Sequence, residues 1–346
     1  MTLTPLLTAR AAALLRPDDA VVVHVDRPGQ VALFALARSL DPGDEAPDEA
    51  ARRDWAEHGA AMSAALPADV HRAVARYRGR GAPAEALLLR AVLAGLPKLV
   101  PTPTTLTPTA VGADAQRGAL ALLGVASLLG EPFGFRSLYG GRLVQHVLPV
   151  RTHHAAQTSG DSTDLLWHVE DAHRPDRCHY LALLCLRGAP DAATVFASAR
   201  AIQDRVGDRW GRILREPRFA VRPDSAHLTD GAHDGPQSAA AAPVAVLSGP
   251  VDDPEIRFDA VYLRPHDPGD DEAAEALRSA SEAAGAAAVG HVLEPGDLLV
   301  LDNRRAVHGR TLFRPRYDGT DRWLLRAMVC ADLAEHRRRR GLRALT

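Results

Sequence analysis

Four short apolar runs, each about as long as a β-strand and bounded by turn residues, constrain the fold of this chain most strongly. They occupy residues 143–150, 180–187, 297–302 and 322–329. Apolar runs of this length with turn residues at both ends are typical of buried strands. Long, irregular stretches separate them, instead of the regular helices that alternate with strands in βαβ units. The pattern therefore predicts a decorated β-barrel.

Helices are predicted mainly ahead of these strands. Residues 8–15 and 51–66 carry helix-forming side chains, and residues 118–129 form an apolar segment typical of a buried helix. A polar, Ala-rich stretch, residues 267–288, is also predicted to be helical. Residues 86–93 are compatible with a buried strand or a helix, because periodicity alone does not distinguish the two.

The composition excludes several classes of protein. The 346 residues are 46% hydrophobic and 24% charged, which supports a sizeable core and argues against wholesale disorder. The 41 basic and 43 acidic residues give a net charge of −2, which argues against a general nucleic-acid or membrane-surface binder. All but one of the basic residues are arginine, so any Schiff-base chemistry would depend on Lys98.

The cysteines and the N-terminus indicate a cytoplasmic protein. Cys178, Cys185 and Cys330 cannot all pair, and none belongs to a Cys-x-x-Cys motif, so we expect reduced thiols. The first residues lack the basic region and the apolar region of a signal peptide. No apolar run approaches the ~18 residues that a membrane span needs.

Three residues suggest a metal site. His168 and Glu170 lie two positions apart, and on a β-strand side chains at this spacing leave the same face and can meet one ion. A later stretch, residues 301–310, offers His308. Two imidazoles and one carboxylate make the facial triad of non-haem Fe(II) oxygenases, which keeps positions open for co-substrate and oxygen. The alternatives are an exposed ion pair and a core histidine with satisfied hydrogen bonds.

Two arginines follow His308 at positions that a strand would point the same way. Arg322 and Arg326 share a face with Leu324, whereas Trp323 packs on the opposite side. Burying two guanidinium groups is costly unless carboxylates meet them. Small-molecule carboxylates suit this role, because a guanidinium recognises them through paired hydrogen bonds. The spacing therefore predicts a cationic pocket for acidic ligands.

These motifs together resemble a known family. The matching blocks read WHVEDAHRP, HYLALLCLRG, GDLLVLDNRRAVHGR and PRYDGTDRWLLR, at residues 167–175, 179–188, 296–310 and 315–326. They are similar to those of the clavaminate synthase-like branch of the taurine dioxygenase superfamily, and within it to the arginine and enduracididine β-hydroxylases of peptide-antibiotic pathways. The resemblance covers about residues 85–335.

The resemblance implies a fold and an activity. The fold is mainly β with α elaborations: a double-stranded β-helix core (jelly-roll, cupin-like) flanked by helices. We expect one structural domain, in which residues 1–85 form a mostly helical elaboration and residues 86–346 form the catalytic core. Insertions are expected near residues 230–243 and 265–290. The implied enzyme uses Fe(II), 2-oxoglutarate and O2 to hydroxylate an amino acid or a derivative, releasing succinate and CO2 in antibiotic-type metabolism.

Roles for individual residues follow from the same resemblance. His168, Glu170 and His308 match the iron ligands. Arg322 matches the arginine that binds the distal carboxylate of 2-oxoglutarate, and Thr194 matches a threonine that helps to hold this co-substrate. The alternative for Thr194 is an ordinary strand threonine.

The substrate-binding positions match the relatives only in part. Arg326 matches the arginine that receives the substrate's acidic group, the alternative being a structural ion pair. Leu138 and Tyr139 stand where the arginine hydroxylases have two glutamines that help to bind the α-amine. Asp259 remains from an acidic pair that grips the guanidinium, but Val261 replaces its partner. Because a charged hydrogen bond contributes about 1.5–3 kcal/mol, we expect a substrate less basic than free arginine.

The reaction and the partners leave some alternatives open. Glu170 disfavours halogenation, because halogenases of this chemistry lack the carboxylate ligand. Hydroxylation is the expected reaction, and desaturation and cyclisation are the alternatives. Other hypotheses are a zinc hydrolase and a non-catalytic β-barrel binding module. The expected partner is a small amino-acid-like substrate, with neither nucleic acid nor membrane, and nothing indicates a carrier protein. We interpret residues 230–243 as a lid. Residues 336–341, which contain four consecutive arginines, are interpreted as a solvated helix end more readily than as a nucleic-acid patch.

Overall fold

The computed structural model describes nine stretches of the chain, which together form β-sheets and α-helices. These are residues 13–15, 19–40, 48–79, 85–93, 99–108, 111–151, 165–223, 242–331 and 343–345. Within them every helix is too short or too polar to traverse a lipid bilayer. The arginine-containing segment at 336–341, Lys98 and most of the expected lid at 230–243 lie outside the described residues.

The strands, in chain order, are β1 (Ala13–Leu14), β2 (Val21–His24), β3 (Ala86–Arg90), β4 (Glu131–Phe135), β5 (Gln145–Val147), β6 (Leu165–His168), β7 (Tyr180–Arg187), β8 (Thr194–Ser198), β9 (Phe219–Val221), β10 (Leu247–Ser248), β11 (Glu255–Ile256), β12 (Leu263–Pro265), β13 (Val289–His291), β14 (Leu298–Asp302), β15 (Ala306–Arg310), β16 (Trp323–Cys330) and β17 (Ala344–Leu345). The helices are α1 (Arg27–Ser39), α2 (Glu49–Ala64), α3 (Ala68–Arg78), α4 (Gly112–Leu129), α5 (Ala199–Leu214) and α6 (Asp271–Ala287).

Two sheets carry the fold. The larger one has the strand order β17-β4-β16-β7-β14-β3-β2, with β5 also paired to β16. The smaller one has the order β1-β13-β8-β15-β6. Most of the pairings are antiparallel, including those of β14 with both β3 and β7 and of β15 with both β6 and β8. Antiparallel pairing explains why the intervening segments need not be helices.

Apolar side chains cover both faces of the larger sheet. Along β14, Leu298 and Val300 pack toward the helical side with α2 and α4, whereas Leu299 and Leu301 pack into a cluster that also contains Phe196 of the smaller sheet. This alternation with a period of two is the geometry of a strand buried on both faces. It explains why the run at 297–302 is continuously apolar.

Helices form the outer layers. The helices α1 to α4 cover one side of the larger sheet, and residues of α4 are buried along most of its length. On the far side of the smaller sheet, α5 and α6 pack together over Val195, Ala197 and Val307. The resulting order is helices, larger sheet, smaller sheet, helices. The space between the sheets is therefore walled in on both sides.

The structure confirms most of the expected elements and corrects one. The four apolar runs contain strands, and helices occupy most of 51–66, 118–129 and 267–288. The ambiguous run at 86–93 is a strand over its first five residues. The helix expected at 8–15 is wrong at its end, because residues 13–14 pair as a strand with β13; the start lies outside the described residues.

The segment before residue 86 contains more than helices. It holds α1, α2 and α3, but β2 pairs in parallel with β3 and so belongs to the larger sheet. The run of valines in β2, Val21 to Val23, places β-branched side chains at the edge of that sheet. The N-terminal segment is therefore joined to the sheet by strand pairing as well as by helix packing.

Candidate active site

One cavity between the two sheets is lined by all eight residues that the sequence singled out. The smaller sheet contributes lining residues from β6, β8 and β15, and the larger sheet contributes them from β5, β7 and β16. The eight residues are Leu138, His168, Glu170, Thr194, Asp259, His308, Arg322 and Arg326. Residues up to 188 positions apart in the chain therefore meet at a single site.

The two histidines meet because neighbouring strands carry them in register. His168 at the end of β6 lies directly opposite His308 on the antiparallel strand β15. Their ring centroids are 4.2 Å apart. Potential ligand atoms of His168, Glu170 and His308 all lie within 4.8 Å of one another. Such spacing allows one ion to contact all three.

Glu170 reaches this cluster by a route that the sequence argument did not foresee. Strand β6 ends at His168, so Glu170 lies in the turn that follows and does not share a strand face with the histidine. Its Oε2 atom is 3.8 Å from Nε2 of His308, and its Oε1 atom accepts a hydrogen bond of 2.5 Å from Nη1 of Arg326. The side-chain amide of Asn303 bonds the main chain of Glu170 and holds it there.

The environment of His308 favours its neutral, ligating form. Burial lowers the pKa of His308 well below its ordinary value, and the neighbouring His168 and Arg326 lower it further. Nδ1 of His168 lies 2.8 Å from the carbonyl oxygen of Leu166, which leaves Nε2 as the ligating atom if Nδ1 carries the proton. Nδ1 of His308 is buried without a hydrogen-bond partner. Two imidazoles and one carboxylate are a donor set that suits Fe(II).

Arg322 is a buried cation without a carboxylate partner among the described residues. Its side chain is almost fully buried, and its Nη2 atom donates a hydrogen bond of 3.3 Å to Oγ1 of Thr194. Burial lowers the pKa of Arg322 to about 10. A guanidinium in such a position is stabilised strongly by a carboxylate that enters the cavity. Arg322 immediately precedes β16, whose register shifts between Trp323 and Leu324.

Arg326 is held by two side chains instead. In addition to its bond with Glu170, it donates from Nε and Nη2 to Oε1 of Gln145, at 2.9 and 2.5 Å. These bonds use three of the five N–H groups of the guanidinium. Burial alone would lower the pKa of Arg326, but the carboxylate of Glu170, together with Tyr139, Asp171 and Cys178, outweighs this effect and the pKa is raised. The structural ion pair considered as an alternative for Arg326 is thus present, while the side chain still lines the cavity.

The remaining predicted positions, Asp259 and Leu138, also line the cavity, and the backbone of Asp259 pairs with that of His168. Oδ1 of Asp259 accepts hydrogen bonds of 2.8 Å from the main-chain N–H groups of Val261 and Tyr262. Leu138 is buried, and Tyr139 beside it has a left-handed φ of 52°. Both the carboxylate of Asp259 and the apolar surface of Leu138 therefore border the same space.

Sequence reasoning missed four residues of the site. Arg310 lies two positions after His308 on β15, so strand alternation could have identified it; its guanidinium lies over the ring of Phe313. Arg222 is exposed at the cavity wall. Gln145 had no local signal, because its contact with Arg326 joins residues 181 positions apart. Asn303 is the one asparagine in the whole sequence, which could have drawn notice to it.

Comparison with known proteins agrees with the cavity's chemistry. A sequence profile of the family described as taurine catabolism dioxygenase TauD, TfdA family, matches residues 106–328. L-asparagine oxygenase of Streptomyces coelicolor is 38% identical over 302 residues, which cover 86% of this chain and 84% of that protein. Enduracididine β-hydroxylase of Streptomyces hygroscopicus is 33% identical over 328 residues, covering 88% and 92%.

A solved structure is similar over nearly the full length. It is asparagine oxygenase in complex with Fe(II), (2S,3S)-3-hydroxyasparagine and succinate, with a TM-score of 0.82 and 34% identity, covering 94% of this chain and 98% of that chain. The resemblance drawn from the sequence blocks is thereby confirmed. The chain belongs to the TauD/TfdA family of dioxygenases.

Proposed function

We propose that this chain is an Fe(II)- and 2-oxoglutarate-dependent oxygenase that hydroxylates an unactivated C–H bond of an amino acid or an amino-acid derivative. One observation carries the proposal: a His/Glu/His cluster, of which Glu170 and His308 are buried, shares its cavity with Arg322, a buried cation that has no described carboxylate partner. A metal site alone would not need that cation. A metal site that also binds a dicarboxylate co-substrate would need it, because the guanidinium can bind the second carboxylate.

His168, Glu170 and His308 would hold the iron. Two imidazoles and one carboxylate are the ligand set that would hold Fe(II) and keep positions open for small molecules. Bound iron, with 2-oxoglutarate and O2, supplies the oxidising chemistry, and succinate and CO2 are released. The chain's own task is to orient the reactants and to exclude water, for which the walls of the two sheets are suited.

Arg322 and Thr194 would bind the distal carboxylate of 2-oxoglutarate. The guanidinium and the hydroxyl already contact each other, so a carboxylate can meet both at once. Arg310 lies opposite Thr194 in the pairing of β15 with β8 and adds a second positive charge at this end of the cavity. A dianion entering here replaces the missing counter-charge of Arg322.

Arg326, Asp259 and Leu138 would bind the substrate. Two N–H groups of Arg326 remain beyond its bonds to Glu170 and Gln145, and these suit the acidic group of an amino acid. Asp259 would contact the polar end of the substrate side chain, and Leu138 would pack against its carbons. The short distance from Arg326 to Glu170 keeps the bound amino acid next to the iron ligands.

The charges around Asp259 favour a neutral side chain on the substrate. Val261 offers no second carboxylate, and the positively charged Arg222 lines the same cavity. A guanidinium or ammonium group beside Asp259 would therefore lack a paired carboxylate at position 261 and would share the cavity with a repelling cation. The similarity to asparagine oxygenase makes asparagine and other amide-bearing amino acids the first substrates to test.

Three broader features belong to the same proposal. The two facing sheets would form a double-stranded β-helix core, supported by their antiparallel pairing and the apolar cluster between them. Residues 86–346 would be the catalytic part of one structural domain that also includes residues 1–85. A cytoplasmic location is supported by three buried cysteines, Cys178, Cys185 and Cys330, none of which is in a disulfide.

The test adds Fe(II) and 2-oxoglutarate to the protein without oxygen, and then oxygen with a panel of amino acids. We expect a visible charge-transfer band in the first step. In the second we expect succinate together with a product heavier by one oxygen atom, measured by mass spectrometry. Loss of two hydrogens instead would indicate desaturation or cyclisation. No band for the wild-type protein would overturn the proposal.

A further inference from the structure

Asn303 is placed at the site by a short turn. It follows β14 and precedes β15, the strand that carries His308. Oδ1 of Asp302 accepts hydrogen bonds from the main-chain N–H groups of Arg304 and Arg305, which closes the turn. The main-chain N–H of Asn303 donates to the carbonyl oxygen of His179 at 2.8 Å. The side chain has no solvent exposure, so its orientation is determined by protein contacts.

The side-chain amide of Asn303 satisfies both main-chain polar groups of Glu170. Its Oδ1 atom accepts from the N–H of Glu170 at 2.7 Å, and its Nδ2 atom donates to the carbonyl oxygen of Glu170 at 3.1 Å. The second N–H of Nδ2 donates to the carbonyl oxygen of Cys178 at 3.2 Å. This pattern imitates the pairing that a neighbouring strand provides. It occurs two residues after the end of β6.

Only a carboxamide of this length meets all three main-chain groups. The site needs one acceptor and two donors in a single planar group, which the asparagine amide provides. An aspartate would keep the acceptor, lose both donors and set a negative charge against two carbonyl oxygens. A leucine of similar size would lose all three of these hydrogen bonds, and a buried main-chain group that is left without a partner costs about 1–3 kcal/mol.

We propose that Asn303 is a positioning residue: by holding the main chain of Glu170, it determines where the carboxylate of Glu170 can reach. This inference rests on the proposed function. The carboxylate of Glu170 contacts two groups. Its Oε1 atom lies 2.5 Å from Nη1 of Arg326, and its Oε2 atom lies near Nε2 of His308. If the main chain at Glu170 could move, the carboxylate could shift toward Arg326 and away from His308. Held by Asn303, Glu170 would keep one carboxylate oxygen within reach of an ion bound beside His308, while the other oxygen accepts the hydrogen bond from Arg326.

The arrangement also links two ligands through one turn. His308 follows Asn303 by five positions, and β15 carries that histidine opposite His168. The same turn thus holds the backbone of one ligand by a side chain and delivers another ligand by the following strand. A displacement of the turn would disturb both.

The experiment compares Asn303→Asp and Asn303→Leu with Tyr77→Phe. In the control, Tyr77 loses a partly buried hydrogen bond from its hydroxyl to the carbonyl oxygen of Glu85, but this tyrosine is not among the residues that line the cavity. Fe(II) affinity is measured without oxygen by competition with a chelator. We expect Kd for Fe(II) to rise at least about tenfold in both Asn303 variants, as is typical for partners of metal ligands, and to stay within twofold in the control.

A second measurement needs no variant. Hydrogen exchange in the metal-free wild-type protein is expected to show the amide of Glu170 protected to the level of the amides in β15, although Glu170 lies in a turn. Exchange at the rate of an exposed loop would overturn the proposal. So would an Fe(II) affinity of the folded Asn303→Asp variant equal to that of the wild type. Wild-type protein that binds no Fe(II) at all would instead overturn the proposed function.

Discussion

Replacing Arg322 with methionine should weaken 2-oxoglutarate binding and, at the same time, stabilise the metal-free protein. Methionine keeps much of the buried volume and removes the charge. A guanidinium that grips a carboxylate with two charged hydrogen bonds contributes about 3–6 kcal/mol in total. Because about 1.4 kcal/mol corresponds to a tenfold change, Kd for 2-oxoglutarate should rise at least about 100-fold.

The gain in stability follows from the charge that Arg322 carries in the absence of a ligand. Burial lowers its pKa from 12.5 to about 10, so the folded protein holds this proton less tightly than the unfolded chain does. The unfavourable contribution is fully present below about pH 10, where both states are charged, and it amounts to about 3 kcal/mol. For a chain of this size an unfolding entropy of about 0.7 kcal/mol/K converts it to a Tm increase of up to about 4 °C.

Two assays check these opposite effects. The charge-transfer band of the anaerobic Fe(II) protein is titrated with 2-oxoglutarate, and Tm of the metal-free protein is measured at pH 7. The matched variant is Arg326→Met, which should affect substrate affinity more than co-substrate affinity. Unchanged 2-oxoglutarate affinity in Arg322→Met, together with weakened substrate binding, would show that the two arginines have the opposite roles. A lower Tm in Arg322→Met would refute the argument about its buried charge.

Three other perturbations test separate parts of the site and the fold. His308→Ala should abolish iron-dependent turnover and leave the fold intact by circular dichroism; full activity would refute the ligand set. Asp259→Asn keeps the acceptor for the N–H groups of Val261 and Tyr262 but removes the charge, so substrate KM should change while uncoupled 2-oxoglutarate consumption continues; equal loss of both would contradict a substrate role. Burial, with Asp302 nearby, raises the pKa of Glu85 from 4.5 to about 7. As the pH rises, Glu85 therefore ionises first in the unfolded chain, so the free energy of unfolding falls between about pH 4.5 and 7. Glu85→Gln should raise Tm at pH 7.5 more than at pH 5. The same difference in Tm at both pH values would contradict this.

Strand periodicity predicted part of the site correctly. Alternation along β16 directs Arg326 and Leu324 into the cavity and buries Trp323 and Leu325 on the helical side. This rule works because a strand's side-chain directions depend on its own backbone alone. It also failed at one point: His168 and Glu170 were expected on one strand face, but β6 ends at the histidine.

Long-range pairing explains what periodicity missed. Glu170 is positioned by Asn303, 133 residues away, and Arg326 is held by Gln145, 181 residues away. The spacing of two residues between His168 and Glu170 is compatible with one face of a strand, and it is also compatible with the turn that the structure contains. Local sequence therefore predicted that the ligand would be near the histidine, but for the wrong structural reason.

The sequence by itself determined the strand-forming runs, the ligand types and the family, because these depend on residue chemistry at short spacings. Only the tertiary structure decided which groups pair inside the cavity. In it, Arg322 has no carboxylate partner among the described residues, whereas Arg326 donates hydrogen bonds to Glu170 and Gln145. The physical reason is that hydrogen bonds and charge pairs act over a few ångströms in space. Strand pairing, and not sequence distance, brings those partners together.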